Sequence, residues 1–182
     1  MQMNLPNKLT ILRVLMIPIF LLVLFLAAEP INRYIAVLIF ILASLTDMLD
    51  GKIARKYNLI TDFGKFMDPL ADKLLVMAAL VSMVALGDLP AWVVIVILAR
   101  EFTITGFRTL AVEANIVLAA SWWGKVKTTT QMIMIPLVLL DLPFAFMPKL
   151  ELLLIALAVF FTIFSGADYL IKNKQVLTGD LK

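Results

Sequence analysis

Residues 47–72 read DMLDGKIARKYNLITDFGKFMDPLAD and lie between two long apolar runs. Four aspartates, Asp47, Asp50, Asp68 and Asp72, stand where those runs meet the polar stretch. A carboxylate facing lipid costs roughly 3 kcal/mol at a helix centre on insertion scales. Four at this density need a compensating partner, and a divalent cation is the obvious one. If residues 35–56 are helical, Asp47, Asp50, Gly51 and Ala54 share a face, because positions i, i+3, i+4 and i+7 are neighbours. On the next helix Gly64, Asp68 and Asp72 lie four apart, again on one face. The short polar connector predicts antiparallel neighbouring helices, with both acidic faces at one membrane depth.

The wider composition sets the class. The chain has 182 residues, 63% of them hydrophobic, where soluble domains run near ~45–50% apolar. The expected fold is all-α: a polytopic membrane protein, a bundle of six transmembrane helices in one domain, residues 1–182. There is no Cys and no His. That removes disulfides, thiol chemistry and the usual zinc ligands, and leaves Mg2+ or Mn2+ for an all-oxygen site. The net charge of +3 is uninformative until it is mapped to sides, and no nucleic-acid partner is expected.

Six apolar runs of roughly 20 residues match the bilayer thickness. They are expected at 10–28, 34–56, 64–86, 91–111, 125–141 and 149–171. Residues 1–13 read as an amphipathic lead-in, and the first run reads as a retained span with Pro18 as its start or kink. Pro69 suits a first turn but would kink an established helix. Trp122 and Trp123 read as interfacial residues in a polar connector. With both termini in the cytoplasm, the outer loops carry only Arg33 and Lys149, and the other fourteen of the sixteen Lys and Arg fall on the inner side. This positive-inside bias places the acidic cluster toward the cytoplasm in a multi-pass inner or plasma membrane protein.

Several further groups carry two readings each. Gly51, Ala54 and Gly64 either let helices pack closely or, beside the carboxylates, leave a slot for a flat ligand. Arg100, Thr105 and Arg108 either satisfy buried charge through a partner such as Glu101 or form a fork for a phosphate. Lys125 and Lys127 anchor a helix at lipid headgroups or add to that fork, at the depth expected for Arg108. Asn7, Thr10 and Arg13 recur at helical intervals, as cap and anchor or as polar contacts to a substrate phosphate. Two divalent ions can clamp a phosphoryl group between attacking and leaving oxygens. A carboxylate at the edge of such a cluster can serve as base. No Ser–His or Cys–His nucleophile is available, so direct displacement at phosphorus is the simpler route.

The run Asp50-Gly51-x2-Ala54-Arg55-x8-Gly64-x3-Asp68-x3-Asp72, with Asp47 three residues ahead, resembles the signature of the CDP-alcohol phosphotransferase family at every fixed position. The resemblance implies a six-helix protein, commonly a homodimer, that joins a CDP-linked donor to an acceptor alcohol and releases CMP. It implies that Asp47, Asp50 and Asp68 are metal ligands, and that Asp72 completes the cluster and acts as general base. It also implies that Gly51, Ala54, Arg55 and Gly64 line the cytidine and diphosphate slot. Asn7-x2-Thr10-x2-Arg13, Ala99-Arg100-Glu101, Thr105-Gly106-x-Arg108 and Gly124-Lys125-x-Lys127-Thr128 are similar to bacterial members that use CDP-diacylglycerol and sn-glycerol 3-phosphate. This second likeness adds Asn7 and Thr10 to the donor site. Arg100, Thr105, Arg108, Lys125 and Lys127 would grip the acceptor phosphate. Rival readings are another acceptor (phosphatidylglycerol, an inositol phosphate or serine) and, from another class, a cation transporter. The transporter reading is weakened by the lack of visible internal repeats.

Overall fold

The computed structural model describes residues 4–56, 61–114, 116, 118–119 and 121–178; the side chains of residues 6, 48–56, 62–63, 65–66 and 177–178 lie outside that description. The described chain is helical throughout: α1 (Leu5–Leu26), α2 (Ile31–Lys56), α3 (Asp62–Leu86), α4 (Ala91–Glu113), α5 (Trp122–Leu140), α6 (Met147–Lys172) and the short α7 (Gln175–Thr178). The six long helices correspond to the six expected runs. Among the described residues three stretches, Asn7–Leu26, Met67–Leu86 and Met147–Lys172, are long and apolar enough to cross a membrane.

Capping chemistry explains where the observed ends differ from the expected ones. Asn4 accepts a hydrogen bond from the Asn7 amide through its side chain (3.0 Å), so α1 starts at Leu5 and absorbs the expected lead-in. Pro18 therefore lies within a continuous helix rather than at its start. Thr61 Oγ1 accepts from the Gly64 amide (3.0 Å), so α3 starts at Asp62 and Pro69 lies in its interior, not in its first turn. Ser121 Oγ accepts from the Gly124 amide (3.0 Å), which draws Trp122 and Trp123 out of the expected connector and into the first turn of α5. At the other end of α3, Gly87 adopts φ 83°, a left-handed conformation that glycine reaches without a Cβ penalty. The amide of Asp88 then returns to the Met83 carbonyl (2.9 Å), closing the helix.

The chain forms two compact units: Met1–Asp88 with Leu139–Asp141, and Leu89–Val138 with Leu142–Lys182. In the first, α1 packs on both α2 and α3. Ala36, Phe40 and Ala43 on α2 and Ala71, Leu75 and Ala79 on α3 are buried at helical spacing. Many large apolar side chains remain exposed on the outer faces, among them Leu15, Leu22, Leu38 and Val81, as expected of helices whose solvent is lipid. In the second unit α4 packs on α6. The stripe Val93, Ile97, Ile104, Phe107 and Ala111 meets Ala158, Thr162, Ser165 and Tyr169 on the buried faces of the two helices.

One polar clamp ties the first unit together. Arg33 grips Asp88 with two nitrogens, Nη1 to Oδ2 at 2.8 Å and Nη2 to Oδ1 at 3.1 Å. Nη1 also donates to the Leu139 carbonyl (3.3 Å). Both side chains are nearly buried, at 11% and 13% exposure. Arg33→Ala should therefore cost about 2–3 kcal/mol, somewhat less than the ~3–5 kcal/mol of breaking a fully buried pair. Thermal denaturation in detergent would register this as a lowered midpoint; an unchanged midpoint would show that the clamp is not stabilising.

Candidate active site

The acidic site is built on the first unit, and α1 supplies its floor. Asn7, Thr10 and Arg13 fall on one face of α1 and are all buried. Thr10 Oγ1 donates to Asp68 Oδ1 at 2.5 Å. Arg13 Nη1 lies 2.7 Å from Asp47 Oδ1, and its Nε donates to the Ala43 carbonyl (3.3 Å). Asp47 and Asp68 are close enough to repel one another electrostatically. Carboxylates from α2 and α3 thus converge on the same face of α1. Asp72 lies one turn beyond Asp68 on α3 and is half-buried.

Gly64 lets the polar groups of this site close in. A Cβ there would stand 3.3 Å from Asn7 Oδ1, 3.3 Å from Thr61 Oγ1 and 3.5 Å from Asp68 Oδ2, so glycine allows all three to approach the α3 backbone. Thr61 Oγ1 donates to Asn7 Oδ1 (2.8 Å). The Asn7 amide nitrogen is buried and has no hydrogen-bond partner among the described residues. A buried donor without a partner is costly, and beside the acidic residues it is a natural contact for a ligand oxygen. Asp50, Gly51, Ala54 and Arg55 lie on α2, but their side chains fall outside the described residues. Among the described residues no three acidic groups form a metal cluster. The donor chemistry nonetheless fits a hard divalent ion: carboxylate oxygens from two helices, and no Cys or His in the chain to favour a softer one.

The second unit carries the basic residues. Arg100 Nη1 pairs with Glu101 Oε1 (3.1 Å), and Nη2 donates to Ser165 Oγ (3.1 Å). Lys127, buried on α5, also pairs with Glu101 Oε1. Arg100 Nε is buried without a partner among the described residues. The guanidinium is closely fitted: a Cβ at Gly166 would stand 3.1 Å from Arg100 Cγ, and one at Gly124 would stand 3.7 Å from Nη2. Arg108 lies two turns further along α4. Its Nε donates to Tyr169 Oη (3.0 Å), and its guanidinium carbon sits 5.3 Å from the Tyr169 ring centroid. Lys127 therefore joins the Arg100 end of α4, whereas the sequence placed it level with Arg108. Lys125 is exposed at the start of α5, and Thr105 Oγ1 bonds back to the Glu101 carbonyl (2.7 Å) on the exposed face of α4.

Several of these residues were missed or undervalued in the sequence. Thr61 and Ser165 carry no motif signal. Glu101 was considered only as a neutralising partner of Arg100, and it serves two cations. Arg13 had a usable signal: an arginine inside an apolar helix needs an anion, and Asp47 is one.

The family model for CDP-alcohol phosphatidyltransferase matches residues 3–164. The chain belongs to the CDP-alcohol phosphatidyltransferase family. The resemblance carried by residues 47–72 is borne out, and membership makes the chain an enzyme. Among relatives of this CDP-alcohol phosphatidyltransferase, a Bacillus subtilis CDP-diacylglycerol–glycerol-3-phosphate 3-phosphatidyltransferase is 45% identical over 96% of the chain and 97% of its own length. A probable phosphatidylglycerophosphate synthase of Mycobacterium tuberculosis is 43% identical over 97% of the chain and 84% of its own length. A Haemophilus influenzae CDP-diacylglycerol–glycerol-3-phosphate 3-phosphatidyltransferase is 39% identical over the whole chain and 97% of its own length.

Proposed function

We propose that this enzyme transfers the phosphatidyl group of CDP-diacylglycerol to sn-glycerol 3-phosphate, giving phosphatidylglycerophosphate and CMP. The observation that carries the choice of substrates is the end-to-end similarity to relatives named for that reaction. An acceptor hydroxyl oxygen bonds to the phosphorus next to diacylglycerol, the bond from that phosphorus to CMP breaks, and Asp72 takes the hydroxyl proton. A divalent cation, Mg2+ or Mn2+ and in this reading two of them, would be held by Asp47, Asp50, Asp68 and Asp72, and supplies charge neutralisation at the diphosphate.

The remaining roles belong to the chain itself. Asn7 offers to the donor its side-chain amide, unpartnered among the described residues, and Gly64 lines the diphosphate slot beside Asp68. Gly51, Ala54 and Arg55 line the cytidine and diphosphate slot. Arg100 and Lys127 grip the acceptor phosphate, with Thr105, Arg108 and Lys125 completing the basic surface. The whole chain, 1–182, then acts as one domain of six crossings, with both termini and the active site on the cytoplasmic side of the cell membrane and a homodimer as the assembly. Fourteen of sixteen basic residues on the inner side support this orientation.

Purified protein, CDP-diacylglycerol, radiolabelled glycerol 3-phosphate and Mg2+ or Mn2+ test the reading directly. Labelled lipid should form in step with CMP. CMP release only with phosphatidylglycerol, an inositol phosphate or serine would reassign the acceptor. Cation flux into sealed vesicles without CMP release would overturn the enzymatic reading.

A further inference from the structure

We infer that Thr10 and Arg13 are positioning residues for the acidic site: from one face of α1, Thr10 fixes the carboxylate of Asp68 and Arg13 fixes that of Asp47. The inference rests on the metal reading of those aspartates given above.

Arg13 is fully buried. A cation in that setting is tolerated only against an anion or backbone carbonyls, and it has an anion and one carbonyl. Its Nη1 meets Asp47 Oδ1, while its Nε meets the carbonyl of Ala43, one turn earlier on the same helix. Holding the guanidinium at two points along α2 fixes the direction in which it presents its charge to Asp47. Thr10 is equally buried. Its 2.5 Å contact with Asp68 Oδ1 has the length of a charge-assisted O–H···O− bond.

The arrangement answers a physical need. Asp47 and Asp68 carry like charges onto the same face of α1, an arrangement that needs holding in place. Each is held through one oxygen by α1. A carboxylate has about four acceptor sites on its two oxygens, so this hold leaves acceptor capacity for a cation. Partners that orient metal-binding carboxylates in this way matter about as much as the ligands, and their loss typically weakens binding by about 10–100-fold. The sequence suggested Thr10 as a donor contact; the structure instead commits its hydroxyl proton to Asp68.

The test is Mn2+ titration of the full-length protein in detergent, with free Mn2+ followed by electron paramagnetic resonance. Thr10→Val preserves shape and removes the donor; Arg13→Met removes the cation. Each should weaken Mn2+ binding by about 10–100-fold, and Thr10→Ser should restore it. A merely structural role would lower the thermal midpoint and leave the Mn2+ affinity of the folded fraction unchanged. If Arg13→Met does not fold, Thr10→Val and Thr10→Ser decide the matter. Asp68→Asn separates the two levels of the claim. If Asp68→Asn abolishes Mn2+ binding while Thr10→Val leaves it at wild-type strength, the positioning role falls and the metal reading stands. If Asp68→Asn binds Mn2+ like the wild type, the metal reading fails and the positioning role with it.

Discussion

Asp72→Asn should lower CMP release by about 10²–10⁴-fold, the range over which a positioned general base contributes, with the thermal midpoint near that of the wild type. The substitution keeps the size of the side chain and removes its capacity to take a proton. The chain has no histidine to stand in. Asp72 lies one turn past Asp68 on α3 and is half-buried. The measurement is kcat with both substrates saturating, so that weaker binding does not imitate a chemical defect. A variant that turns over within tenfold of the wild type would remove Asp72 from the base role and send the proton to water or to the substrate phosphate. Asp68→Asn provides the contrast, since it should lose the dependence on added metal along with activity.

Arg100→Ala should raise KM for sn-glycerol 3-phosphate by a factor of at least about 30, corresponding to the ~2 kcal/mol or more that truncating a desolvated, hydrogen-bonded charge costs. The KM for CDP-diacylglycerol should stay near its wild-type value. The effect has two sources. The guanidinium offers a planar fork to a phosphate, and its removal also leaves Glu101 with Lys127 as its remaining named cation and Ser165 without its donor. Arg108→Ala, at a more exposed position held by Tyr169, should move the same KM in the same direction by less. Equal losses for both substrates would mean that Arg100 maintains the second unit rather than reading the acceptor. Unchanged acceptor kinetics in both variants would return the basic surface to a headgroup-binding role.

The fold was legible because its determinants are local and strong. Six helical runs can be read from hydropathy along the chain, three of them apolar enough in the described residues to cross a membrane, and the acidic signature sits at helical spacing between two of the runs. The helix ends were less legible. Asn4, Thr61 and Ser121 begin their helices earlier than hydrophobicity suggests, because a cap depends on one side-chain oxygen and not on apolar content. That Asp47 on α2 and Asp68 on α3 meet the same helix was anticipated by i+4 arithmetic. The partners of those carboxylates were not, since Thr10 and Asp68 are 58 residues apart and nothing in a periodic pattern joins them. The same limit explains Lys127: its depth along α5 depends on where Ser121 starts that helix, and that start shifted it toward Glu101.

The two grips on α2 have different masters. Arg33 secures the end near Ile31, and Arg13 reaches Asp47 fourteen residues later, about 21 Å along the axis at 1.5 Å per residue. The first contact bears on how firmly the helices hold together, the second, on the proposed reading, on how one carboxylate is aimed. Substitutions at one pole of the helix should therefore register in thermal stability, and those at the other in metal affinity.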